Sequence, residues 1–342
     1  MEPIARGQRS EGVRDLQRRL LGAGLRVDAD ELEGTFGPST EASVRQFQQA
    51  RGLPTDGVVG AETWGQLVEA GYRLGDRTLY LRSPAFRGDD VRELQRMLNA
   101  LGFDAGKQDG IFGRRTADGV REFQRNVASK VDGIVGLDTV HEMTRYRPPL
   151  EGPSRAVVRE QEAARGPGLS LSGSIVAIDV EDAGGSGAPE AIAAALADEL
   201  ERRGARPLLL RSSGEPSSVH DRIRRANAGE AAIWLSVSLG ASGEAGCECF
   251  HFGTPSTHSP MGRRLAGSIL SSLVSRLRLQ DRGVHPRSIA VLRETQMPAV
   301  LVELTGAGDW QVTEPSFAGE VAQAIASGVE EFSRPAPAPL AG

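Results

Sequence analysis

Val13-Arg14-Asp15-Leu16-Gln17-Arg18-Arg19-Leu20 returns later in the chain as Val91-Arg92-Glu93-Leu94-Gln95-Arg96-Met97-Leu98. Three further pairs of segments follow in the same order: Gly34-Thr35-Phe36-Gly37 with Gly110-Ile111-Phe112-Gly113, Phe47-Gln48 with Phe123-Gln124, and Asp56-Gly57-Val58-Val59-Gly60 with Asp132-Gly133-Ile134-Val135-Gly136. The offset is 78 residues between Val13 and Val91 and 76 residues between Asp56 and Asp132, so one loop differs by two residues. A self-similar block of this length indicates a duplicated small domain rather than a solenoid.

Each copy is predicted to contain three short helices joined by glycine turns. The first helix has apolar residues at helical spacing and ends at a glycine, and Pro38 marks the start of the second helix in the first copy. The Asp-Gly-x-Val-Gly segment reads as a tight turn. The threonine three residues after it, Thr63 or Thr139, is predicted to cap the third helix. Each copy is therefore predicted to be a compact all-α domain.

Composition limits the classes of protein to consider. A length of 342 residues indicates two or three domains, and a net charge of −5 with 5% aromatic residues argues against a nucleic-acid partner. The N-terminal residues 1–10 do not resemble a signal peptide, and no apolar run is long enough to span a membrane. Cys247 and Cys249 lie too close in sequence to favour a disulfide, so we predict a cytoplasmic protein.

The repeated motifs resemble the bacterial peptidoglycan-binding domain, a three-helix module of cell-wall hydrolases. The resemblance covers residues 7–70 and 86–145 and implies peptidoglycan or a muropeptide precursor as the ligand. The first copy departs from the pattern, with Leu32-Glu33-Gly34 where the second copy has Gln108-Asp109-Gly110. Most of the repeated residues are predicted to serve the core or the turns rather than to contact a ligand.

The C-terminal half alternates strand-like and helix-like runs. Strands are predicted at 175–178, 207–210, 233–237, 248–252 and 299–303, and helices at 189–203, 219–228, 261–277 and 316–332. This alternation predicts an α/β domain with a mostly parallel sheet covered by helices. The full domain prediction is a first copy at 1–74, a second copy at 80–147, a linker at 148–172 with a helical patch around 157–164, the α/β domain at 173–333 and a flexible tail at 334–342.

Several C-terminal segments resemble the zinc-dependent N-acetylmuramoyl-L-alanine amidases of the third amidase family. They are Val219-His220-Asp221-Arg222-Ile223 with Ala226-Asn227, then Arg282-Gly283-Val284, and finally Val291-Leu292-Arg293 with Met297-Pro298-Ala299-Val300-Leu301-Val302-Glu303. The resemblance covers about residues 173–333. It implies a hydrolase fold in which two histidines and a glutamate hold Zn²⁺ and a second glutamate moves protons.

The zinc ligands of that family are not matched here. Asp182 stands where the first histidine belongs and Ser238 where the second belongs. The ligand glutamate falls in Gly184-Gly185-Ser186-Gly187, and Glu190, the nearest carboxylate, comes several residues late. Glu303 matches the catalytic glutamate. Because a catalytic zinc ion needs about three protein ligands, we predict no metal site, with Asp182 and Ser238 as cleft residues that bind ligand and Glu303 as a retained catalytic position.

Other residues are poor candidates for a rebuilt site. Cys247, Cys249 and His251 share one face of a predicted strand, but the first and last lie roughly 13 Å apart along a flat strand, too far to share one ion. His258 and His285 are predicted to lie in loops. Ser236 and Ser238 lack the Gly-x-Ser-x-Gly context of a nucleophilic serine.

The leading hypothesis is a peptidoglycan-binding or precursor-binding protein with a catalytically degenerate amidase domain, acting as a regulator or scaffold of cell-wall synthesis. It would need no cofactor and could contact a cell-wall synthesis protein. One alternative is an active amidase that binds zinc and cuts the bond between muramic acid and L-alanine. Another is an interaction protein whose amidase-like domain docks a protein partner.

Overall fold

The computed structural model describes residues 2–146, 170–181, 188–211, 218–240, 244–254, 257–306 and 315–334. The chain divides into two compact units, residues 1–159 and 160–342. The predicted linker helix at 157–164, most of the linker and the tail beyond residue 334 lie outside the described residues, and the exact domain boundaries stay a prediction.

The first copy consists of α1 (Glu11–Gly22), α2 (Pro38–Arg51) and α3 (Ala61–Glu69). Ser10 caps α1 by accepting a hydrogen bond from the Val13 N–H, and Pro38 occupies the first turn of α2. The apolar faces of the helices meet in one core, whose fully buried members include Val13, Leu16, Leu20, Val44 and Val59. The predicted three-helix domain is confirmed.

The second copy repeats this arrangement with α4 (Asp89–Ala100), α5 (Arg114–Asn126) and α6 (Leu137–Arg145). Its core is built from the equivalent positions, among them Val91, Leu94, Leu98, Val120 and Phe123. The two copies therefore bury the same repeated residues in separate cores.

Two repeated glutamines hold the turns of each copy. The side-chain amide of Gln48 is buried and donates to Asp56 Oδ1 at 2.7 Å and to the Val58 carbonyl at 2.9 Å, while its oxygen accepts the Gly57 N–H at 2.9 Å. Gly57 has a φ of +76°, which a residue with a Cβ adopts only with strain. Gln48 thus fixes a left-handed glycine turn onto α2.

The second copy contains the same hydrogen bonds between a glutamine side chain and a glycine turn. Gln124 donates to Asp132 Oδ1 and to the Ile134 carbonyl, both at 3.0 Å, and accepts the Gly133 N–H at 2.9 Å. Gln17 and Gln95 hold the earlier Gly-x-Phe-Gly turns in a similar way. The repeated glutamines and glycine turns are therefore explained by their role in the fold.

The first copy, which has Leu32-Glu33-Gly34 in place of Gln108-Asp109-Gly110, also differs from the second in its hydrogen bonds at this turn. In the second copy Asp109 accepts hydrogen bonds from Gln95 and from the Ile111 N–H. In the first copy the buried carboxylate of Glu31 instead accepts the backbone N–H groups of Ser39 and Thr40 at the start of α2. Burial raises the pKa of Glu31, but the hydrogen bonds from the Thr40 hydroxyl and from these N–H groups outweigh it, so the pKa is lowered.

The predicted threonine caps are wrong. The residues that cap α3 and α6 are Gly60 and Gly136, and neither provides a side-chain hydrogen bond. Thr63 lies inside the first turn of α3, with its hydroxyl 3.4 Å from the Gln48 amide nitrogen, and the Thr139 hydroxyl donates to the Ile134 carbonyl. These hydroxyls secure the preceding turn rather than the helix end.

The two copies contact each other through an ion-pair cluster. Arg51, at the end of α2, pairs with Asp89, at the start of α4, through two nitrogens, and one of these contacts measures 2.6 Å. Arg92 pairs with the same carboxylate at 2.6 Å. A paired guanidinium fork gives geometric specificity as well as attraction, so the cluster fixes the spacing between the copies.

The second unit is built on a mixed sheet. Its strands are β1 (Ile175–Glu181), β2 (Arg206–Leu209), β3 (Ile233–Gly240), β4 (Gly246–Thr254), β5 (Thr257–His258), β6 (Gln280–Arg287) and β7 (Ala299–Thr305). The spatial order is β2-β1-β3-β7-β4, and both β5 and β6 pair with β4. Strands β2, β1, β3 and β7 are parallel, whereas β4 runs antiparallel to β7.

Helices cover both faces of this sheet, as predicted. Helices α7 (Ala188–Arg202), α9 (Pro260–Leu277) and α11 (Pro315–Ser333) pack on the face formed by Ile178, Leu235 and Val302. Helices α8 (Val219–Ala228) and α10 (Ala290–Arg293) cover part of the opposite face.

Several details of the predicted α/β domain need correction. Strands β5 and β6 and the short helix α10 were not predicted. His258 and His285, predicted to lie in loops, belong to β5 and β6. Strand β6 was missed because it contains Gly283 and Pro286 and buries little of its surface, so its sequence lacks the alternation of a buried strand. Within the described residues, none of the helices has both the length and the apolar character needed to cross a lipid bilayer.

Candidate functional site

Polar residues occupy one end of the sheet face that α8 covers only in part. Ser238 on β3 is in register with Glu303 on β7, and Glu303 is in register with Glu248 on β4. Residues in register on neighbouring strands point to the same face. Ser238 and Glu303 lie at the carboxyl ends of parallel strands, where open α/β sheets place their binding sites.

The same face is apolar at the other end of these strands. Trp234 on β3 and Leu301 on β7 are buried against α8 and α10. Ser236 lies between the two zones, fully buried, and its hydroxyl accepts the Trp234 indole N–H at 2.8 Å. The boundary between core and site therefore falls between Ser236 and Ser238, since Ser238 is partly exposed.

The structure brings together two of the three predicted site residues, Ser238 and Glu303. Asp182, the third, lies outside the described residues, one position after the end of β1 at Glu181. Glu181 is paired with Ser238 in the strand register. The proposed roles of all three residues stay predictions.

Arg287 is a site residue that the sequence analysis missed. It lies on β6, and its guanidinium carbon is 3.3 Å from the centroid of the Phe250 ring. From there it crosses β4 and donates a charge-assisted hydrogen bond to Glu303 Oε1. About a fifth of the Arg287 side chain (19%) and a quarter of the Glu303 side chain (27%) are exposed. Glu303 thus already has a cation as its partner.

A second arginine holds the strand that leads to the site. Arg222 on α8 pairs with Asp179 on β1 at 2.9 Å, and these side chains are 4% and 0% exposed. A buried pair costs much of its attraction in desolvation, but removing one partner leaves an uncompensated charge. Asp179 and Arg222 therefore tie α8 to β1 three residues before Asp182.

Within the described residues, the donor atoms at this end of the sheet do not form the ligand set of a catalytic zinc ion. Ser238, predicted to stand where the family has its second histidine, offers only a hydroxyl, and the Glu303 carboxylate is bound by a guanidinium. Zinc sites in enzymes use about three histidine or carboxylate ligands. Among the residues that the structure describes, no three His, Cys, Asp or Glu side chains are grouped closely enough to hold a metal.

Cys247, Cys249 and His251 lie on β4, as predicted, and all three are buried. Cys247 and Cys249 belong to the core beneath α9 and α11, and a β-bulge interrupts the pairing with β6 between them. The His251 ring nitrogen Nδ1 lies 2.9 Å from the Phe252 carbonyl, and burial lowers the pKa of His251. These residues form part of the core.

Both thiols are expected to be unreactive in the folded protein. Burial raises the pKa of Cys247 from 9.0 to about 11 and raises the pKa of Cys249 as well. Because the thiolate is the reactive form, a rise of two pKa units lowers its fraction at pH 8 about 100-fold. We expect Ellman's reagent to label neither cysteine in native protein and both in guanidinium chloride. The variant Ser275→Cys, at an exposed position of α9, should react at once, and rapid labelling of the native wild-type chain would contradict the burial of both thiols.

Comparison with known proteins identifies both parts of the chain. Residues 188–331 match the family described as N-acetylmuramoyl-L-alanine amidase, and residues 9–67 and 87–143 match the putative peptidoglycan binding domain.

Individual proteins are similar to one or both parts of the chain. The N-acetylmuramoyl-L-alanine amidase CwlM of Mycobacterium tuberculosis is 36% identical over 330 residues, covering 87% of this chain and 80% of that protein. The N-acetylmuramoyl-L-alanine amidase CwlL of Bacillus licheniformis is 31% identical over 156 residues, which cover 40% of this chain and 43% of that protein. A solved N-acetylmuramoyl-L-alanine amidase from Clostridium difficile 630 shares 23% identity over 47% of this chain and 97% of its own, with a TM-score of 0.43. The chain belongs to the N-acetylmuramoyl-L-alanine amidase family and carries two peptidoglycan-binding domains ahead of its amidase domain.

Proposed function

We propose that this protein binds peptidoglycan or a muropeptide precursor without cutting it, and that its amidase domain is catalytically degenerate. The observation that carries the proposal is the ion pair between Arg287 and Glu303. A glutamate that moves protons at a zinc site must face the zinc-bound water with a free carboxylate oxygen, whereas the Arg287 guanidinium already occupies Glu303 Oε1.

The polar end of the sheet is suited to binding. Ser238 can donate and accept hydrogen bonds, and Glu303 retains one carboxylate oxygen beyond the one that Arg287 binds. Amide and carboxyl groups of a stem peptide would match these donors and acceptors. We propose that Ser238, Glu303 and Asp182 contact the ligand.

We further propose a role as a regulator or scaffold of cell-wall synthesis, associated with the cell wall or its precursors and with a cell-wall synthesis protein as partner. Two binding modules beside a non-hydrolysing domain would report or gather ligand rather than consume it. Both cysteines are free, buried thiols, so the fold does not depend on an oxidising compartment, and we propose a cytoplasmic site of action.

The proposal is tested by combining a binding assay with metal analysis. Purified full-length protein is incubated with insoluble peptidoglycan, the pellet is assayed for bound protein and the supernatant for released stem peptides. We expect retention in the pellet, no peptide release above buffer, and much less than one zinc ion per chain after dialysis against zinc. An active amidase of the same family serves as the positive control for release.

The variant Glu303→Gln separates binding from catalysis. It removes the negative charge at nearly constant shape, and retention by insoluble peptidoglycan should persist because both peptidoglycan-binding domains are unchanged. Stoichiometric zinc together with peptide release that Glu303→Gln abolishes would establish the active amidase and overturn the degenerate reading. Absence of retention would instead favour a protein that docks another protein through its amidase-like domain.

A further inference from the structure

The segment that joins the two peptidoglycan-binding copies carries a group of aromatic and arginine side chains, of which Tyr72, Tyr80 and Arg82 are exposed. Its members are Tyr72, Arg77, Tyr80, Arg82 and Phe86, which we call the tyrosine–arginine surface. The exposed fractions of Tyr72 and Tyr80 are 39% and 41%, although large aromatic residues are usually more buried.

Arg77 anchors this surface to the second copy. Its Nε donates to Asp90 Oδ2 at 2.7 Å, and Asp90 is fully buried. The Arg77 guanidinium carbon lies 3.7 Å from the centroid of the Tyr72 ring, so it holds that ring by a cation–π contact. A ring fixed in this way loses little conformational entropy when it binds a ligand.

Phe86 supports the other half of the surface. The Tyr80 ring packs edge-on against Phe86 with centroids 5.3 Å apart, and the Arg82 guanidinium carbon lies 3.8 Å from the Phe86 centroid. Phe86 itself is 8% exposed and belongs to the core of the second copy. Tyr80 and Arg82 are thus exposed side chains that pack on the buried ring of Phe86.

The surface carries an excess of positive charge. Arg77 is paired with Asp90, whereas, within the part of the chain that the structure describes, the Arg82 side chain forms no ion pair and therefore keeps an uncompensated positive charge. An unpaired guanidinium beside aromatic rings attracts carboxylates, which it can bind through two parallel hydrogen bonds.

The first copy shows that the fold does not require these residues. In both copies a short bridge begins the domain, Ile4 with Val59 and Leu79 with Val135. A second bridge follows, Arg9 with Thr35 and Arg87 with Ile111. Between the two bridges the first copy has only Ala5-Arg6-Gly7-Gln8, whereas the second copy has Tyr80-Leu81-Arg82-Ser83-Pro84-Ala85-Phe86. Phe86 contributes to the core of the second copy, but the exposed Tyr80 and Arg82 need an explanation other than folding.

We propose that the tyrosine–arginine surface is a binding subsite for an anionic glycopeptide, an N-acetylated disaccharide whose peptide carries free carboxylates. The tyrosine rings would pack against the apolar faces of the sugar rings while their hydroxyls remain available for hydrogen bonds. Arg82 pairs with a carboxylate of the ligand. This inference rests on the proposed peptidoglycan binding and assigns part of it to the join between the copies.

The test uses the full chain and a defined probe, the disaccharide–pentapeptide released from peptidoglycan by muramidase. We expect Tyr80→Ala and Arg82→Ala each to weaken its binding at least tenfold in calorimetry. Tyr80→Phe should bind nearly as well as wild type because it keeps the ring. Amidating the carboxylates of the probe should weaken wild-type binding and should matter little to Arg82→Ala, because the pairing is already lost.

Tyr146→Ala is the matched control. Leu137, at the start of α6, has its Cδ2 4.0 Å from the position that a Cβ on Gly75 would take, so this end of α6 lies beside the joining segment. Tyr146 is 51% exposed and follows the other end of α6. At the rise of an α-helix, it lies roughly 13 Å from Leu137. Its replacement should leave the affinity unchanged.

The outcomes separate this inference from the function on which it rests. If wild type binds peptidoglycan and the probe but Tyr80→Ala and Arg82→Ala bind equally well, the subsite is wrong and the proposed function stands. If wild type binds neither peptidoglycan nor the disaccharide–pentapeptide, both the proposed function and the subsite that rests on it are wrong. If the variants keep the glycopeptide but lose a co-purifying protein, the surface serves a protein and the inference is overturned.

Discussion

Replacing Arg222 by alanine is expected to lower the free energy of unfolding of the second unit by about 3–5 kcal/mol, because it leaves the carboxylate of Asp179 buried without a cation. Both side chains are almost inaccessible to solvent, so water cannot replace the lost guanidinium. Because the chain divides into two compact units, a global melting curve would combine contributions from both. Native-state hydrogen exchange of the β1 and β3 amides measures the second unit alone.

The control for this experiment is Arg224→Ala on the same helix. Arg224 is 77% exposed and pairs with Asp221 at the surface, so its loss should change the free energy of unfolding by less than about 0.5 kcal/mol. The double variant Asp179→Ala with Arg222→Ala should recover part of the loss, since no unpaired charge remains. Equal stability of Arg222→Ala and Arg224→Ala would show that the pair is not a buried electrostatic tie.

Replacing Gln48 by leucine is expected to destabilise the first copy by about 2–4 kcal/mol, because buried backbone groups lose their partners. The Gly57 N–H and the Val58 carbonyl would have no replacement, and the left-handed turn at Gly57 would lose its attachment to α2. Leucine has a similar volume, so the effect reports hydrogen bonds rather than a cavity. Hydrogen exchange of the α2 amides provides the measurement.

Gln49→Leu is the matched control, since Gln49 is the next residue of α2 and is exposed. It should change the stability by less than about 0.5 kcal/mol. Gln124→Leu offers an independent repeat in the second copy, where the loss should be seen in α5 instead of α2. If Gln48→Leu and Gln49→Leu had the same free energy of unfolding, the hydrogen bonds of Gln48 would not stabilise the first copy.

The three-helix domains could be predicted because their determinants are local. Helical spacing of apolar residues, Pro38 at a helix start and glycines in left-handed turns act within a few residues of chain. The partner of each glutamine could not be identified in the same way. Gln48 reaches eight to fifteen residues ahead, to Asp56 and Thr63, and only the packing of α2 against the turn brings these atoms together. For the same reason Thr63 was mistaken for a cap.

The candidate site was predicted only in part. Glu303 and Ser238 could be placed because each lies two residues before the end of a strand with a clear apolar run. Arg287 could not, because β6 is a poorly buried strand with a glycine and a proline, and its neighbour in the sheet is β4 rather than β7. The side chain reaches Glu303 by crossing β4 over Phe250, a path that depends on strand order.

By itself, the sequence determined that the chain contains two copies of one helical domain followed by an α/β domain, and it predicted that the zinc ligands are replaced. Those features depend on residue types and on spacings of a few residues to a few tens of residues. Only the tertiary structure decided that Arg287 pairs with Glu303 and which side chains the segment Tyr80–Phe86 presents at the surface. Both depend on side chains from separate segments meeting in space, because electrostatic and aromatic contacts act over only a few ångströms.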